Sequence, residues 1–212
     1  MDKKFCIFDM DGTLVDSMPA WKSLSRDYLE TRDRHPTLEQ LIRMGPMTML
    51  EGASYLMETF GLEGPPEEIA REMNAIMETH YRTDLPLKPG VEQYLKQLTA
   101  KGVRLCVATA TAEPLALACL ERLGVAEYFD FILSCETIGV GKTQPDVYLE
   151  AARRFGQDPQ AVAVFEDAIY AVKTAKTAGF YTVGVFEETH RREWPALSAL
   201  ADEIVEDWRN VL

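Results

Sequence analysis

Short apolar runs recur along this chain at 5–8, 103–108, 129–134, 161–165 and 181–185, each bounded by a polar or glycine-containing turn. All but the first lead into a segment of helical period. Apolar runs of four to eight residues that lack strict alternation suit strands covered on both faces. Strands of that kind, alternating with helices, specify a parallel sheet in the α/β class. One helix is expected from Pro145, with Tyr148, Ala151, Ala152 and Phe155 on its inner face, and another over 168–178. Gly156 and Gly179 stand where helix C-termini need a left-handed residue.

The rhythm breaks between Leu14 and about Pro86. Apolar positions there fall three and four apart, in the groups Trp21/Leu24/Tyr28, Leu50/Ala53/Met57/Phe60 and Ile69/Met73/Ile76/His80, which predicts amphipathic helices. Pro36, Pro46 and Pro65-Pro66 mark helix starts. The expected organisation is an α/β core of residues 1–15 and 87–212, interrupted by a helical domain at 16–86 with hinges near 14–17 and 84–89. Met18, Met44, Met47, Met49, Met57, Met73 and Met77 all lie in the insert. Methionine fills ordinary cores, and it also suits a surface that must adapt.

Several classes are excluded early. No run of about 18 apolar residues exists to span a bilayer. The first apolar run is cut at once by Asp9 and Asp11, too short for a secretory signal, so a cytoplasmic protein is expected. Cys6, Cys106, Cys119 and Cys135 form no CxxC pair and are expected as buried apolar residues in a reducing compartment. The net charge of −12 makes nucleic acid and anionic membrane poor partners. An anionic ligand therefore requires a local positive spot set against the protein's own field.

The chemistry-bearing residues collect after the apolar runs. Asp9-Met10-Asp11-Gly12-Thr13 follows the first, Ala108-Thr109-Ala110-Thr111 closes the second, Gly141-Lys142 comes after the third and Phe165-Glu166-Asp167 closes the fourth. In parallel sheets ligands bind at the carboxyl ends of strands. Paired carboxylates leaving an apolar strand are costly unless paired, solvated or bound to metal. Hydroxyls and free N–H groups at a helix start suit phosphate. Gly139-Val140-Gly141-Lys142-Thr143 imitates the end of a P-loop, but Glu136 stands where that motif needs glycine, which excludes a nucleoside triphosphatase.

These motifs, in this order and around a helical insert, resemble the haloacid dehalogenase superfamily over essentially the whole chain. The resemblance is to its magnesium-dependent branch of phosphatases and sugar-phosphate mutases, and it implies a Rossmann-like core with an inserted helical cap. It implies Asp9 as nucleophile and Asp11 as general acid/base. It implies Thr109, Ala110 and Lys142 as phosphate binders, and Asp9, Asp11, Glu166 and Asp167 around Mg²⁺. Ala168, Ala171 and Thr143 depart from the family's usual Ser, Gly and Pro. The implied reaction is hydrolysis of a small phosphorylated metabolite through an aspartyl-phosphate, with phosphomutase as the alternative; a monomer is the default expectation, since the sequence does not read out oligomeric state. Family mutases carry a histidine near position 21, where this chain has Trp21, which favours the phosphatase. A silent binding protein would leave the motif residues unused, and a metal-free dehalogenase would leave Asp11, Glu166 and Asp167 without purpose. Trp21, Arg43, Met44, Met47, His80 and Tyr81 are the cap residues expected to bear on the substrate, with core packing or solvation as their ordinary alternative.

Overall fold

In the computed structural model, residues 2–44, 47 and 49–211 are described, Ile42 by its backbone alone. The chain divides into two compact units, Met1–Ser17 with Asp84–Leu212, and Met18–Thr83.

The first unit is built on a six-stranded parallel sheet of order β3-β2-β1-β4-β5-β6. Its strands are β1 (Phe5–Phe8), β2 (Arg104–Thr109), β3 (Phe131–Ser134), β4 (Val162–Glu166), β5 (Tyr181–Val185) and β6 (Glu203–Val205). Five of them match the apolar runs to within two residues at each end. The sixth was not anticipated. Glu203-Ile204-Val205, three residues between Asp202 and Glu206, is too short to read as a strand, and among the described residues it pairs along the edge of β5. Asp202 secures that edge, its Oδ2 accepting from the Thr182 backbone N–H at 2.8 Å and the Thr182 hydroxyl at 2.9 Å.

The chain builds outward from β1 to β3 on one side and then returns to place β4 on the other. The point where direction reverses, between β1 and β4, is where such sheets open a crevice. Register sets Phe8 beside Val107 of β2 and Phe165 of β4. The three central strands therefore end together. A layer of Ile7, Cys106, Val164, Tyr148, Ala151, Phe155 and Phe180 fills one side of the sheet. On another, Phe8 stacks on Phe165 with centroids 4.3 Å apart, and Trp208 lies 5.8 Å from Phe165. All four cysteines are buried and unpaired to one another.

The second unit holds α1 (Met18–Glu30), α2 (Leu38–Met44), α3 (Met49–Phe60) and α4 (Pro66–Thr83), with Leu24, Tyr28 and Leu29 of α1, Ala53 and Leu56 of α3, and Ile69, Met73, Met77 and Tyr81 of α4 buried. The stripe on α4 runs through Met77 and Tyr81, so Ile76 and His80 of the expected stripe fall on its flank, half-buried. On α3, Leu56 takes the inner position and Leu50 is 47% exposed. Pro46, read as a helix start, lies outside the described residues. Tyr28 donates to Glu72 at 2.6 Å and carries the Arg32 guanidinium over its ring at 3.7 Å, tying α1 to α4.

The core strand leaves and re-enters side by side. Val15 bridges Leu87 antiparallel, the Asp16 N–H donates to the Pro86 carbonyl at 2.9 Å, and the Lys88 N–H donates to the Leu14 carbonyl at 2.9 Å. The remaining core helices are α5 (Val91–Ala100), α6 (Glu113–Arg122), α7 (Cys135–Ile138), α8 (Asp146–Phe155), α9 (Ile169–Thr177) and α10 (Trp194–Leu200). Gly156, in the left-handed region at φ 69°, ends α8, and Gly179 lies one residue past the C-cap Ala178 of α9. Among the described residues no helix is long and apolar enough to cross a membrane.

Candidate active site

Asp9 is the first residue past β1, and its N–H still donates to the Phe165 carbonyl of β4 at 3.0 Å, so the backbone remains part of the sheet. The chain then turns tightly. Both Leu14 and Val15 N–H groups donate to the Met10 carbonyl at 2.9 Å, and Gly12 sits at φ 80°, a conformation that a side chain would strain. Two outside groups fasten this turn: Trp208 Nε1 donates to the Thr13 carbonyl at 3.1 Å, and the Lys88 ammonium donates to the Gly12 carbonyl. Lys88 also donates to the Phe186 carbonyl at 2.8 Å and pairs with buried Glu187 at 2.7 Å.

Three carboxylates meet at the crevice. Asp9, Glu166 and Asp167 are all buried, and each offers an oxygen within 4.8 Å of the others'. Lys142, brought in by the turn between α7 and α8, donates to Asp9 Oδ1 and to Glu166 Oε1, the latter at 2.7 Å. Tyr148, buried on α8, donates to the same Glu166 oxygen at 2.7 Å. Burial pushes the Asp9 carboxyl well above its ordinary range, Lys142 pulls it down, and Glu166, Asp167 and Asp11 push it up again. Glu166 is raised likewise, by burial first, against the pull of Lys142 and with Asp167 adding to the push. For Lys142, burial disfavours the ammonium, but Asp9 and Glu166 outweigh it and hold the proton more tightly than on a free lysine.

One ammonium among three buried carboxylates leaves the cluster short of positive charge. An all-oxygen donor set with few protein ligands is what a hard divalent cation takes, so the residues present fit one. The oxygens of Asp9, Glu166 and Asp167 are those available to hold it.

The neighbouring loop supplies hydroxyls. Thr109 ends β2 fully buried, and its Oγ1 accepts from the Thr111 N–H at 3.0 Å. Ala110 beyond it is exposed. Asp11 is held between two hydroxyls, with Ser17 donating to Oδ1 at 2.6 Å and Thr111 to Oδ2 at 2.8 Å. A carboxylate that accepts from two hydroxyls on opposite oxygens is held in a fixed direction.

The core residues singled out from sequence thus gather at the ends of β1, β2 and β4 and in the turn bearing Lys142. Those of the helical unit do not form one group. Trp21 Nε1 donates to the Tyr81 hydroxyl at 3.1 Å, so these two belong to the packing of α1 on α4. Arg43 is exposed, its guanidinium 5.5 Å from the Tyr55 ring centre; Met44 is buried, and Met47 and His80 are half-buried. Sequence reading missed Lys88 and His190, and placed Tyr148 on the inner face of its helix, where it lies, without linking it to Glu166. His190 places Nδ1 3.1 Å from Asp167 Oδ2, and that contact raises the imidazole's proton affinity against the opposing effect of burial.

A carboxylate pair at the reversal point of a parallel sheet, answered by a buried lysine and a second acidic pair on the next strand, is a hydrolase architecture with a known lineage. Residues 3–179 match the haloacid dehalogenase-like hydrolase family, and the chain belongs to it. It is 31% identical over 173 residues to a phosphorylated carbohydrates phosphatase of Thermotoga maritima, covering 82% of this chain and 80% of that one. It is 31% identical over 218 residues to a phosphoglycolate phosphatase of Rhodobacter capsulatus, covering 95% and 96%. A Thermotoga maritima crystal structure provisionally described as a β-phosphoglucomutase superposes with a TM-score of 0.83 at 29% identity, covering 98% and 97%.

Proposed function

We propose that the protein is a magnesium-dependent phosphatase acting on a small phosphorylated metabolite, a sugar phosphate or a phosphoglycolate-like monoester. The observation that carries this reading is the position of Asp9, buried past the central strand beside Lys142, Glu166 and Asp167. Asp9 attacks phosphorus, the ester P–O bond breaks, and the phosphoryl group passes to the carboxylate. Asp11 gives its proton to the departing alkoxide, then takes one from the water that attacks the aspartyl-phosphate, releasing inorganic phosphate and restoring Asp9. Lys142 and the N–H groups of the Thr109–Ala110 turn bind the phosphoryl oxygens. Mg²⁺ held by Asp9, Asp167, Glu166 and the Asp11 carbonyl would offset the repulsion between an anionic ester and an anionic nucleophile. The relatives' printed activities support the substrate class.

The inserted helical unit is the cap that selects the leaving group, through Arg43, Met47 and His80. A panel of phosphorylated metabolites, with Mg²⁺ and with chelator, tests the whole reading. Phosphate release that needs Mg²⁺ and falls by at least about a thousandfold in Asp9→Asn is expected; full activity in that variant would refute it. The likeness to the structure described as a β-phosphoglucomutase supports a second reading, phosphomutase. Isomer interconversion dependent on a bisphosphate primer, without net phosphate release, would select it. Trp21, locked to Tyr81 where mutases carry their histidine, weighs against it.

A further inference from the structure

Beyond β5 the chain delivers an imidazole to the acidic cluster. His190 ends a short 3₁₀ turn, Glu188–His190, with its side chain 31% exposed. Its Nδ1 is buried 3.1 Å from Asp167 Oδ2, yet the two are not aligned as donor and acceptor, and neither atom has another hydrogen-bond partner among the described residues. That Asp167 oxygen makes no other hydrogen bond among the described residues that such an alignment would have to break.

His190 is not among the residues whose donor atoms lie within 4.8 Å of one another. Ligands of an octahedral magnesium at about 2.1 Å lie no more than about 4.2 Å apart. The imidazole is therefore outside the set that can share one ion and touches a member of that set instead. Its turn is also tied down by side chains. Glu187 Oε1 accepts from the Thr189 N–H at 3.1 Å and hydroxyl at 3.2 Å, while the other oxygen of Glu187 pairs with Lys88. Because Lys88 also donates to the Gly12 carbonyl, one lysine ties the turn carrying His190 to the loop carrying Asp9.

We propose that His190 is a positioning residue for the cation site: its Nδ1–H donates to Asp167 Oδ2 and fixes the carboxylate's rotation, leaving the other oxygen to the cation. This rests on the cation-dependent reading above. Hydrogen-bonded partners of metal-ligating groups typically contribute about 10- to 100-fold in affinity.

The test is binding of Mn²⁺ and Mg²⁺ to the full chain without substrate, by calorimetry and by the Mn²⁺ paramagnetic resonance signal. His190→Ala is expected to weaken binding by about 10- to 100-fold. His190→Asn, whose amide nitrogen takes the place of Nδ1, is expected to recover affinity to within about threefold of the parent. His190→Ala binding within twofold of the parent, or His190→Asn as weak as His190→Ala, overturns the proposal. Melting in chelator, expected to change by less than about 2 °C, separates lost positioning from lost folding; should the alanine variant not fold, the asparagine and a His190→Gln variant, whose amide stands one bond further out, decide. If the parent itself binds neither ion, the proposed function fails first; if the parent binds and the variants do not differ, only the role of His190 fails.

Discussion

Replacing Lys142 by methionine isolates the electrostatics of the crevice. The side chains of Lys142, Asp9 and Glu166 are 5%, 6% and 2% exposed, so water offers little screening when the ammonium is removed. Methionine keeps the length of the stem while leaving two carboxylates with no counter-charge and Asp167 close by. Breaking a buried ion pair from one side typically costs about 3–5 kcal/mol. At this chain length about 2–4 °C of melting temperature accompanies each kcal/mol, so a fall of about 6–20 °C in chelator is expected by circular dichroism. The loss should be conditional on the acids. Glu166→Gln removes one of the two stranded charges, so the double variant is expected to recover at least about 1.5 kcal/mol relative to the sum of the single changes, a coupling normal for residues in one network. Saturating Mg²⁺ should restore part of the loss, because a ligand that binds only the folded state stabilises it. A shift under about 2 °C in chelator, or strict additivity in the double variant, would refute the argument.

Three further outcomes are expected. Tyr148→Phe deletes the hydroxyl that donates to Glu166 at 2.7 Å, a hydrogen bond to a charged acceptor worth about 1.5–3 kcal/mol, and should lower the melting temperature by about 3–12 °C; an unchanged melt would show the contact to be energetically idle. Gly90→Ala is expected to cost about 2–5 kcal/mol by urea titration, since φ is 96° and the added Cβ would stand 2.7 Å from the Arg209 nitrogen and 2.8 Å from the Trp208 carbonyl carbon; a loss under about 1 kcal/mol would contradict that crowding. For Asp202, burial raises the carboxyl but the Lys176 ammonium and the Thr182 donors outweigh it, leaving the group below its ordinary value. A carboxyl depressed on folding stabilises above its unfolded pKa of about 4 and loses that contribution as pH falls through the folded value. Asp202→Asn should therefore melt lower than the parent at pH 7, with the gap closing towards pH 2; a constant gap would refute the assignment.

The residues of the crevice were legible because a parallel sheet sends successive strands to the same edge. Once 5–8, 103–108 and 161–165 read as strands, Asp9, Thr109 and Glu166-Asp167 had to emerge at neighbouring ends, and the structure places them there. Lys142 followed from its motif, although the turn that aims it depends on α7 and α8. What escaped is non-local or too short to carry a pattern. Lys88 meets Glu187 across 99 positions of sequence, and nothing at either residue announces the other. His190 reads as a lone histidine among charges, and its approach to Asp167 exists only because β5 lies next to β4. Within the helical unit the apolar period identified the helices and the buried positions Leu24, Tyr28, Ala53, Ile69 and Met73, but on α3 and α4 the inner face continues through Leu56, Met77 and Tyr81 where Met57, Ile76 and His80 were expected. Small turns of phase leave the spacing intact, so only neighbours decide which side is covered.

The paired passages of chain at Val15 and Leu87 have a consequence for how such enzymes diversify. Since the exit and return are already zipped to each other, the sheet experiences everything between Met18 and Thr83 as a loop with touching ends. The entropy of closing a loop rises only as the logarithm of its length, so whole helices can be gained, lost or exchanged at this doorway with little penalty to the strands behind it. Recombination at these two crossings can thus exchange the helical unit while the strands behind it stay as they are.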